Sequence, residues 1–493
     1  MKKLFVLLGG FCALCFVACS NFQLAGGDMG MVSLSIGDNL AREIRSAAAS
    51  RNVADGTYTL TASIRGEYSD SQTVAVANGN YSGVTFTFED VPVGKRIILD
   101  LTAKADGNYI WYGNSGKHMV VSGINNLNVA VGRVSGVLMW KLENHNILTA
   151  PYGAYDSPAE REITFGASDS SQGRPFCFDS DGNLYVMPSD GSTVKKYDLQ
   201  LDGTYVDSKT DISTNGQVFN HLAYDSVAGT LYGIGTQTQL CYWKSGERFN
   251  QVQGDTVNSG SYLGLAAHDN VVYTIKPGRE DLNAVHYATV KSYSISIEGS
   301  DAGDTAQPTL KVVKENSFLL PSFCTRNYTG QMIYQDGALY LLLRRVEVSN
   351  SGPTEGDSER FSCGALVKIN PSTLTLDTSF GDNGYLGLVS GRPISGIYDN
   401  RPYFSMKLYS PTESNESRAF YGPVGFVAVM PKKLVIADAG CALSKGSGDK
   451  LLARRKNRVV TVDLETQAFA VTPLSDPNSY GNVASSCGFL VVE

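Results

Sequence analysis

The chain of 493 residues is long enough for about three domains of ordinary size, and its 51 Gly, 26 Tyr and 18% charged residues are typical of a turn-rich β protein. Its formal net charge of −7 at pH 7 is mildly acidic. Nucleic acid is therefore not an expected partner, because phosphate binding uses Lys and Arg clustered over a whole face.

The chain begins with the features of an export signal. Lys2 and Lys3 supply positive charge, and the apolar run that follows is shorter than the ~20 residues of a membrane-spanning helix. Phe16-Val17-Ala18-Cys19 resembles the lipobox of bacterial lipoprotein precursors, although Phe16 replaces the usual aliphatic residue. The resemblance implies a signal peptide over residues 1–18 and a lipid anchor on Cys19, with palmitate among its acyl groups. Ordinary secretory cleavage is the alternative.

The next two segments are a tether and a small β domain. Residues 19–30 are short and contain glycine, which is typical of a tether. Over residues 31–133, apolar and polar residues alternate, as at Phe86 and Phe88, and Asp-Gly or Asn-Gly turns separate the runs. This pattern predicts a β-sandwich of roughly seven strands. The segment Phe88-Glu89-Asp90-Val91-Pro92-Val93-Gly94-Lys95 resembles a turn of transthyretin-like or immunoglobulin-like domains in bacterial surface proteins, which implies a spacer.

A repeating unit of strand, tight turn and strand follows over residues 136–493. The copies begin near Phe176, Asn220, Gly264, Met332, Ile397 and Val427. The first three starts are spaced by 44 residues, the size of one four-stranded propeller blade. The sequence therefore predicts an all-β chain in which a β-sandwich precedes a β-propeller of about six blades. Five to seven blades fit the irregular later copies.

Two phrases in this region resemble known propeller repeats. Asp181-Gly182-Asn183-Leu184-Tyr185-Val186, followed by Val194 to Asp198, resembles the NHL family, and Leu376-Asp377-Thr378-Ser379-Phe380-Gly381 resembles the delta-60 repeat of bacterial surface propellers. The resemblance implies a closed ring. We expect the C-terminal strand at Cys487 to Val492 to close it by pairing near residues 163–165, because closure removes open sheet edges.

The usual catalytic motifs are missing from the sequence: there is no G-x-S-x-G, H-E-x-x-H or Walker A segment. His221 and His268 occupy similar places in successive repeats and could face a central channel, where imidazoles bind a metal or a proton. Repeat geometry explains them equally well. No metal site and no cofactor are therefore predicted, with a divalent cation in the channel as the alternative.

That alternative comes from a resemblance in general shape to lactonase propellers, which hold a divalent cation at the channel mouth. The candidate ligands here are Asp179, Asp225, Asp269 and Asp336. Their other interpretation is strong, because Asp populates β-turns by bonding its own backbone.

Two segments have the composition of a contact surface. The candidate binding residues are Tyr403, Phe404, Tyr409, Phe420, Tyr421, Arg454 and Arg455. The aromatic members lie among Ser, Asn and Glu, a mixture that suits adaptable binding loops, and a polar loop over 349–361 has similar character. The alternatives are aromatic rings packed between sheets and, for the basic cluster at 450–458, a solvated hairpin tip.

Six cysteines lie beyond Cys19, and six cysteines allow 15 pairings. Cys441 with Cys487 is the best disulfide candidate, because an export compartment permits oxidation. Cys177 is predicted to be a buried thiol between two phenylalanines.

The sequence thus favours a binding protein over an enzyme: a membrane-anchored extracytoplasmic lipoprotein of the cell envelope, at the outer membrane or cell surface. Its propeller would present a loop surface to a protein or glycan partner. The alternative is a metal-dependent lactonase-like or glycan-directed propeller hydrolase. A third hypothesis is a subunit that assembles or maintains the outer envelope.

Overall fold

The computed structural model describes residues 28–37, 57–77, 83–105, 108–141, 147–153, 175–188, 191–200, 203, 205–235, 239–254, 262–280, 285–296, 309–320, 330–351, 358–387, 393–398, 401–406, 419–420, 423–438, 442–445, 451–454, 458–474 and 490–492. Over this part of the chain all regular elements are β-strands, which confirms the predicted all-β class. No helix among these residues is long and apolar enough to cross a bilayer. The signal segment, Cys19 and the tether up to residue 27 lie outside the described residues.

The N-terminal strands form two sheets. They are β1 (Met29–Ser35), β2 (Thr57–Gly66), β3 (Asp70–Ala77), β4 (Thr85–Pro92), β5 (Arg96–Ala105), β6 (Asn108–Asn114), β7 (His118–Met119), β8 (Gly123–Asn126) and β9 (Ala130–Arg133). One sheet has the order β4-β1-β8, and the other has the order β3-β2-β5-β6-β9 with β7 beside β5. Alternate residues are buried, as Phe86 and Phe88 in β4 illustrate, so each strand turns one face to a core. Contact density divides the chain into two compact units: the first comprises 1–50, 54–102 and 113–130, and the second comprises 51–53, 103–112 and 131–493.

The second unit contains most of the chain's strands. They are β10 (Val137–Lys141), β11 (Ile147–Ala150), β12 (Phe176–Phe178), β13 (Leu184–Val186), β14 (Thr193–Leu199), β15 (Tyr205–Ser213), β16 (His221–Asp225), β17 (Thr230–Ile234), β18 (Cys241–Trp243), β19 (Asn250–Gln251), β20 (Gln253–Gly254), β21 (Gly264–His268), β22 (Val271–Glu280), β23 (Val285–Ser296), β24 (Thr309–Leu319), β25 (Gly330–Gln335), β26 (Ala338–Ser351), β27 (Ser358–Ile369), β28 (Tyr385–Leu386), β29 (Pro393–Tyr398), β30 (Arg401–Met406), β31 (Pro423–Met430), β32 (Lys433–Asp438), β33 (Ala442–Lys445), β34 (Leu451–Arg454), β35 (Arg458–Asp463), β36 (Phe469–Pro473) and β37 (Leu490–Val492).

Among the described residues, five sheets of at least four strands follow one another in chain order as blades. Blade 1 is β12 to β15, blade 2 is β16 to β19, blade 3 is β21 to β24 with β20 at its edge, blade 4 is β25 to β28, and blade 5 is β31, β32, β35 and β36. The order β11-β10-β37 forms a closing sheet. At the repeat predicted at Ile397, the described strands are the hairpin β29-β30, and the residues that flank it lie outside the described part of the chain. Sequential antiparallel strands in each blade are the arrangement of a β-propeller.

Apolar clusters join each blade to the next and so close the ring. One cluster combines Tyr185 of blade 1 with Phe219 and Leu231 of blade 2. Similar clusters join blades 2 and 3, 3 and 4, and 4 and 5. The last one contains Val435 of blade 5, Leu138 of the closing sheet and Leu184 of blade 1. Each blade is therefore buried on both faces.

Ring closure uses the C-terminal strand, as the sequence predicts. β37 pairs in parallel with β10, with Met139 opposite Leu490 and Lys141 opposite Val492. The segment 163–165, which was the expected partner, lies outside the described residues. β10 pairs with β11 on one side, and the C-terminal strand β37 covers its other edge.

A buried aspartate connects neighbouring blades at the turn that ends the inner strand. Asp225 of blade 2 is fully buried. Its Oδ1 accepts hydrogen bonds from the Val227, Ala228 and Asp269 amides at 3.0–3.1 Å, and its Oδ2 accepts one from the Asn270 amide at 2.8 Å. The last two amides belong to blade 3, where Asp269 and Asn270 have positive φ angles.

Blade 4 repeats this arrangement: the Lys432 amide of blade 5 donates to Asp336 Oδ2 at 3.0 Å. Asp179 of blade 1 instead caps its own turn, accepting from the Asp181 and Asn183 amides at 2.9 Å.

We predict that Asp225→Asn lowers the free energy of unfolding by about 1–3 kcal/mol, because an amide NH2 would replace one of the accepting oxygens and leave a buried donor without its acceptor. The matched change Asp269→Asn alters an exposed side chain whose backbone amide alone takes part, so its effect should stay within about 0.5 kcal/mol. Urea unfolding followed by tryptophan fluorescence measures both. Equal effects of the two substitutions would contradict the role of Asp225.

Blade 5 contains a buried ion pair between neighbouring strands. Arg458 and Asp438 face each other in the register of β35 and β32 and are 5% and 0% exposed. Arg458 Nη2 and Nε donate to Asp438 Oδ2 at 2.7 and 3.0 Å, and Nη2 also donates to the Ala419 carbonyl. The guanidinium therefore ties the segment before β31 to the middle of the blade.

We predict that Asp438→Ala destabilises the propeller by about 3–5 kcal/mol, because it removes the carboxylate that pairs with a buried guanidinium. Asp198→Ala is the comparison, since Asp198 pairs with Lys196 at 3.2 Å with its side chain 45% exposed. That half-exposed pair should contribute less than about 1 kcal/mol. Denaturant titration of both variants tests the difference, and a loss below 1 kcal/mol for Asp438→Ala would refute it.

Candidate functional site

Three consecutive blades extend on the same face of the ring. In blade 3, β21 pairs with Val271–Ile275 only, and the rest of β22 continues beyond it, paired with β23. In blade 4, β26 and β27 continue in the same direction past the end of β25. In blade 5, the hairpin β33-β34 lies between β32 and β35, on the same side. We call this side the hairpin face.

The opposite side, which we call the turn face, is made differently in these blades. The first two strands join there through the two-residue turns 269–270, 336–337 and 431–432. Asp225 of blade 2 accepts hydrogen bonds from the amides of the turn 269–270, and Asp336 of blade 4 accepts one from the Lys432 amide of the turn 431–432. These aspartate contacts therefore fix turns on one side of the ring. On the other side, the extended strands provide enough surface for a binding site.

A pocket of about 280 Å³ lies on blade 3 at the base of its extended hairpin. Its lining includes Tyr262, Lys276, Tyr287, Lys291 and Tyr293. Period-two alternation creates it: every second residue of β22 and β23 faces the pocket, whereas the intervening residues belong to the core shared with blade 4.

Glycine shapes one wall of the pocket. Gly278 lies opposite Tyr287 in the β22-β23 register. A Cβ atom at Gly278 would collide with the Tyr287 ring, so only glycine lets the ring lie flat across the strand.

The two lysines of the pocket have different environments. Lys276 Nζ lies 4.4 Å above the centre of the Tyr262 ring, and burial, together with the positive charge of Lys291, lowers the pKa of Lys276. Lys291 Nζ lies 2.7 Å from Glu315 Oε2, and this hydrogen bond raises the pKa of Lys291. None of the described lining residues is acidic.

Tyr262 connects the pocket to the inner strand of blade 2. Its ring is buried, and burial holds the pKa of its hydroxyl well above the usual range. His221 Nε2 lies 2.9 Å from the Tyr262 carbonyl oxygen. That contact fixes the imidazole of His221 against blade 3.

The two histidines that the sequence singled out lie at opposite ends of their inner strands. His221 begins β16 on the hairpin face, whereas His268 ends β21 beside the turn face and stacks on Tyr334 at 3.9 Å between ring centres. They are therefore not a pair. Among the described residues, no group of three His, Cys, Asp or Glu is placed to hold a metal. The four candidate aspartates lie at the blade turns, and Asp179, Asp225 and Asp336 accept backbone hydrogen bonds there.

The aromatic segment predicted as a binding surface is only partly described. Tyr403 and Phe404 lie on β30, for which the backbone alone is described, and Tyr409 and Tyr421 fall outside the described residues. Phe420 is fully buried against Phe469, with 4.8 Å between ring centres. Phe420 is thus a core residue and not an exposed anchor, because it fills the space between blades 4 and 5.

The other predicted surface features take the form of hairpins. Arg454 ends β34, paired with Ala442, while Arg455 lies outside the described residues. The segment 349–361, expected to be a loop, consists largely of the outer ends of β26 and β27, because the alternating pattern of the blade continues past the inner strand. Its tip, 352–357, is outside the described residues.

Two cysteines in the described part of the chain are free thiols. Cys177 is half-buried and Cys241 is buried. Burial raises the pKa of the Cys177 thiol well above its usual range, and that of Cys241 to about 12. Both are therefore protonated and weakly reactive at neutral pH. Cys441 and Cys487 lie outside the described residues, so their disulfide stays a prediction.

The pocket residues were not identified from the sequence. The available signal was the alternation Tyr287-x-Thr289-x-Lys291-x-Tyr293, which places four aromatic or polar side chains on one strand face. The same pattern is typical of any solvent-facing strand. Only the extension of β22 and β23 beyond β21 makes this face a concave site.

Comparison with known families gives a partial match. The sequence model of the TdpA C-terminal domain matches residues 399–479. This segment includes β30, the hairpin β33-β34 and all four strands of blade 5. The buried pair Arg458 and Asp438 lies within this segment. No curated protein matches the chain.

Similar solved structures come from distant proteins. A protein from Lactobacillus plantarum is 10% identical and has a TM-score of 0.27. The match covers 65% of this chain and 94% of that protein's chain. U3-55K is 9% identical, with 62% and 97% covered and a TM-score of 0.25. A protein of unknown function from Bacteroides caccae is 11% identical, with 58% and 93% covered and a TM-score of 0.22. The propeller assignment rests on the ring of sheets.

The interaction between the two lysines of the pocket predicts a change in the pKa of Lys276. Lys291→Met should raise the pKa of Lys276, because it removes the neighbouring like charge. Reductive methylation with 13C, followed by pH titration of the lysine methyl signals, measures the change. Lys311→Met, on an exposed position of β24, is the control and should leave Lys276 unaffected. A Lys276 pKa that is the same with and without Lys291 would show that the two ammonium groups do not interact.

Proposed function

We propose that the chain is a membrane-anchored extracytoplasmic lipoprotein whose propeller presents the hairpin face to a protein or glycan partner. The observation that carries the proposal is the extension of three consecutive blades toward one face, with a pocket at the base of the first hairpin. Rigid β scaffolds commonly carry their binding residues on such extensions. Apolar clusters fix the cores of the blades that carry these extensions.

The anchor is proposed from the sequence of residues 1–19. An apolar signal ending in Ala18-Cys19 would place a lipid on Cys19 and hold the β domains outside the cytoplasm, in the cell envelope. A transthyretin-like or immunoglobulin-like spacer over 31–133 would lift the propeller from the membrane.

We expect Cys19→Ser to abolish labelling with a palmitate analogue and to release the chain from the membrane fraction, because the thiol is the lipid attachment point. Labelling and fractionation of cells that express the full chain test this. Ser20→Ala, which preserves the cysteine, is the control. A Cys19→Ser protein that is still labelled and sedimented would contradict the anchor.

The binding face is tested by site-specific photo-crosslinking in the full chain. Asn220 and Ser226 are both exposed and flank the same strand, β16, so one reports on the hairpin face and the other on the turn face. We expect a photoreactive residue at 220 to give crosslinks to an envelope protein or glycan, and the same residue at 226 to give few.

Equal crosslinking from both positions would contradict the proposed face. Turnover of lactones or glycans by the full chain that requires a divalent cation would favour the hydrolase alternative instead.

A further inference from the structure

We propose that the first unit docks on the lipid bilayer through an apolar rim, formed by Met29, Met119, Val121 and Ile124 at the end of the unit where β1 begins. This contact rests on the proposed function, because it takes Cys19 as the lipid anchor. It adds a second attachment to the membrane, in which these side chains enter the acyl-chain boundary of the bilayer.

The rim gathers the exposed large apolar side chains of the first unit. Among its described residues, the large apolar side chains that are exposed are the four of the rim, at 49–65%. In the described part of the second unit the corresponding residues are valines spread over blades 1 to 3 and their connections: Val206, Val218, Val227, Val312 and Val313. Scattered apolar residues are normal on a surface, whereas a group at one place marks a contact site.

Strand register places Met29 and Ile124 side by side. Met29 begins β1, opposite Pro92 at the end of β4. Ile124 lies beside Met31 in the parallel pair of β1 and β8. Because alternate residues of a strand point to the same face, Met29, Met31 and Ile124 share the outer face of this sheet.

Hydrogen bonds bring the segment 119–121 to the same end. The Val120 amide donates to the Lys95 carbonyl at 2.9 Å, and the Gly94 amide donates to the Val120 carbonyl at 2.8 Å. The Asn125 side chain accepts from the Val121 amide at 3.0 Å and donates to the Val121 carbonyl at 2.9 Å. Val120 is buried, so the residues on either side of it point outward.

The other end of the same sheet is polar. Ser33 lies opposite Thr87 and Ser35 opposite Thr85, and the hydroxyl oxygens of Ser35 and Thr85 are 3.2 Å apart. The exposed apolar surface is therefore confined to the end at which the chain enters β1.

The length of the preceding segment identifies what covers the rim. Residues 20–28 separate Cys19 from Met29. Fully extended, this stretch spans at most about 35 Å. A lipid on Cys19 therefore keeps the rim close to the bilayer, at a high effective concentration of acyl chains. Apolar side chains gain from leaving water at such a boundary.

Charge around the rim favours apolar contact over attraction to anionic headgroups. Lys95, Arg96 and Lys117 are exposed in or beside its segments. Acidic residues are exposed there as well, namely Asp28, Glu89 and Asp90. Because the signs are mixed, attraction to an anionic surface contributes little, and the contact should be insensitive to salt.

The test is photo-crosslinking of the full chain in cells whose phospholipids carry an alkyne on the acyl chain. We expect a benzophenone side chain at position 29 to form lipid adducts and one at position 35 to form few. Both positions are exposed ends of β1. Position 35 lies about 20 Å along the strand, beyond the ~5–10 Å depth to which an interfacial apolar face enters a bilayer.

Variants and salt test the chemistry of the contact. Val121→Ser/Ile124→Ser should lower the adduct yield at position 29 roughly threefold or more, because it removes two aliphatic side chains from the apolar phase. Val227→Ser/Val313→Ser, at equally exposed positions of the second unit, is the control and should leave the yield unchanged. Washing the membranes with about 1 M NaCl before irradiation should also leave it unchanged.

Each contrary result overturns the inference. Equal lipid adducts at positions 29 and 35, or equal losses in the rim variant and its control, would do so. Protein adducts in place of lipid adducts at position 29 would make the rim a protein interface. Loss of the adducts in high salt would show that charge, and not apolar contact, holds the unit at the membrane.

Palmitate labelling of the same cells separates the rim from the anchor. A labelled chain without lipid adducts at position 29 would overturn the rim and leave the anchor standing. Lipid adducts on an unlabelled chain would show that the rim binds the bilayer by itself and that the anchor is wrong. Absence of both signals would overturn both.

Discussion

The burial of both faces of every blade is the constraint on which the rest of the propeller depends. A four-stranded sheet with apolar residues on both sides cannot be stable alone in water, so each blade needs two neighbours. The clusters between blades supply them, and the closing sheet completes the ring between blades 5 and 1. Loss of one interface would expose two apolar faces at once, which makes the ring cooperative.

Directional hydrogen bonds supplement the apolar contacts of the ring. Asp225 and Asp336 accept amide protons from the following blade at the turn face, so the tight turns on that side are held in place. The buried pair of Asp438 and Arg458 has a related role inside blade 5, where it secures the chain that enters the blade. On the hairpin face the strands instead continue past the core of the blade. Their outer residues are therefore not required to be apolar.

The repeat pattern and the fold class could be predicted from the sequence because they depend on local alternation. Buried inner strands such as His221–Asp225 and the turns after them are visible as short apolar runs followed by Asp. The aspartates were correctly placed in turns, but their bonds to the next blade are not visible in a sequence, since Asp225 and Asn270 are 45 residues apart. Local alternation is the same in a hairpin and in a blade, so the alternation at Ile397 predicts strands such as β29 and β30 but not how many strands their sheet contains.

The sequence by itself determined the strand content, the blade spacing and the signal-like N-terminus, all of which are read within a few neighbouring residues. Tertiary structure decided which aromatic residues are core and which line a site. Phe420 stands in an aromatic, polar segment yet is buried between two blades, whereas Tyr287 stands in an ordinary alternating strand and lines a pocket. The physical reason is that exposure depends on whether a neighbouring strand covers a position, and that neighbour is chosen by contacts distant in sequence.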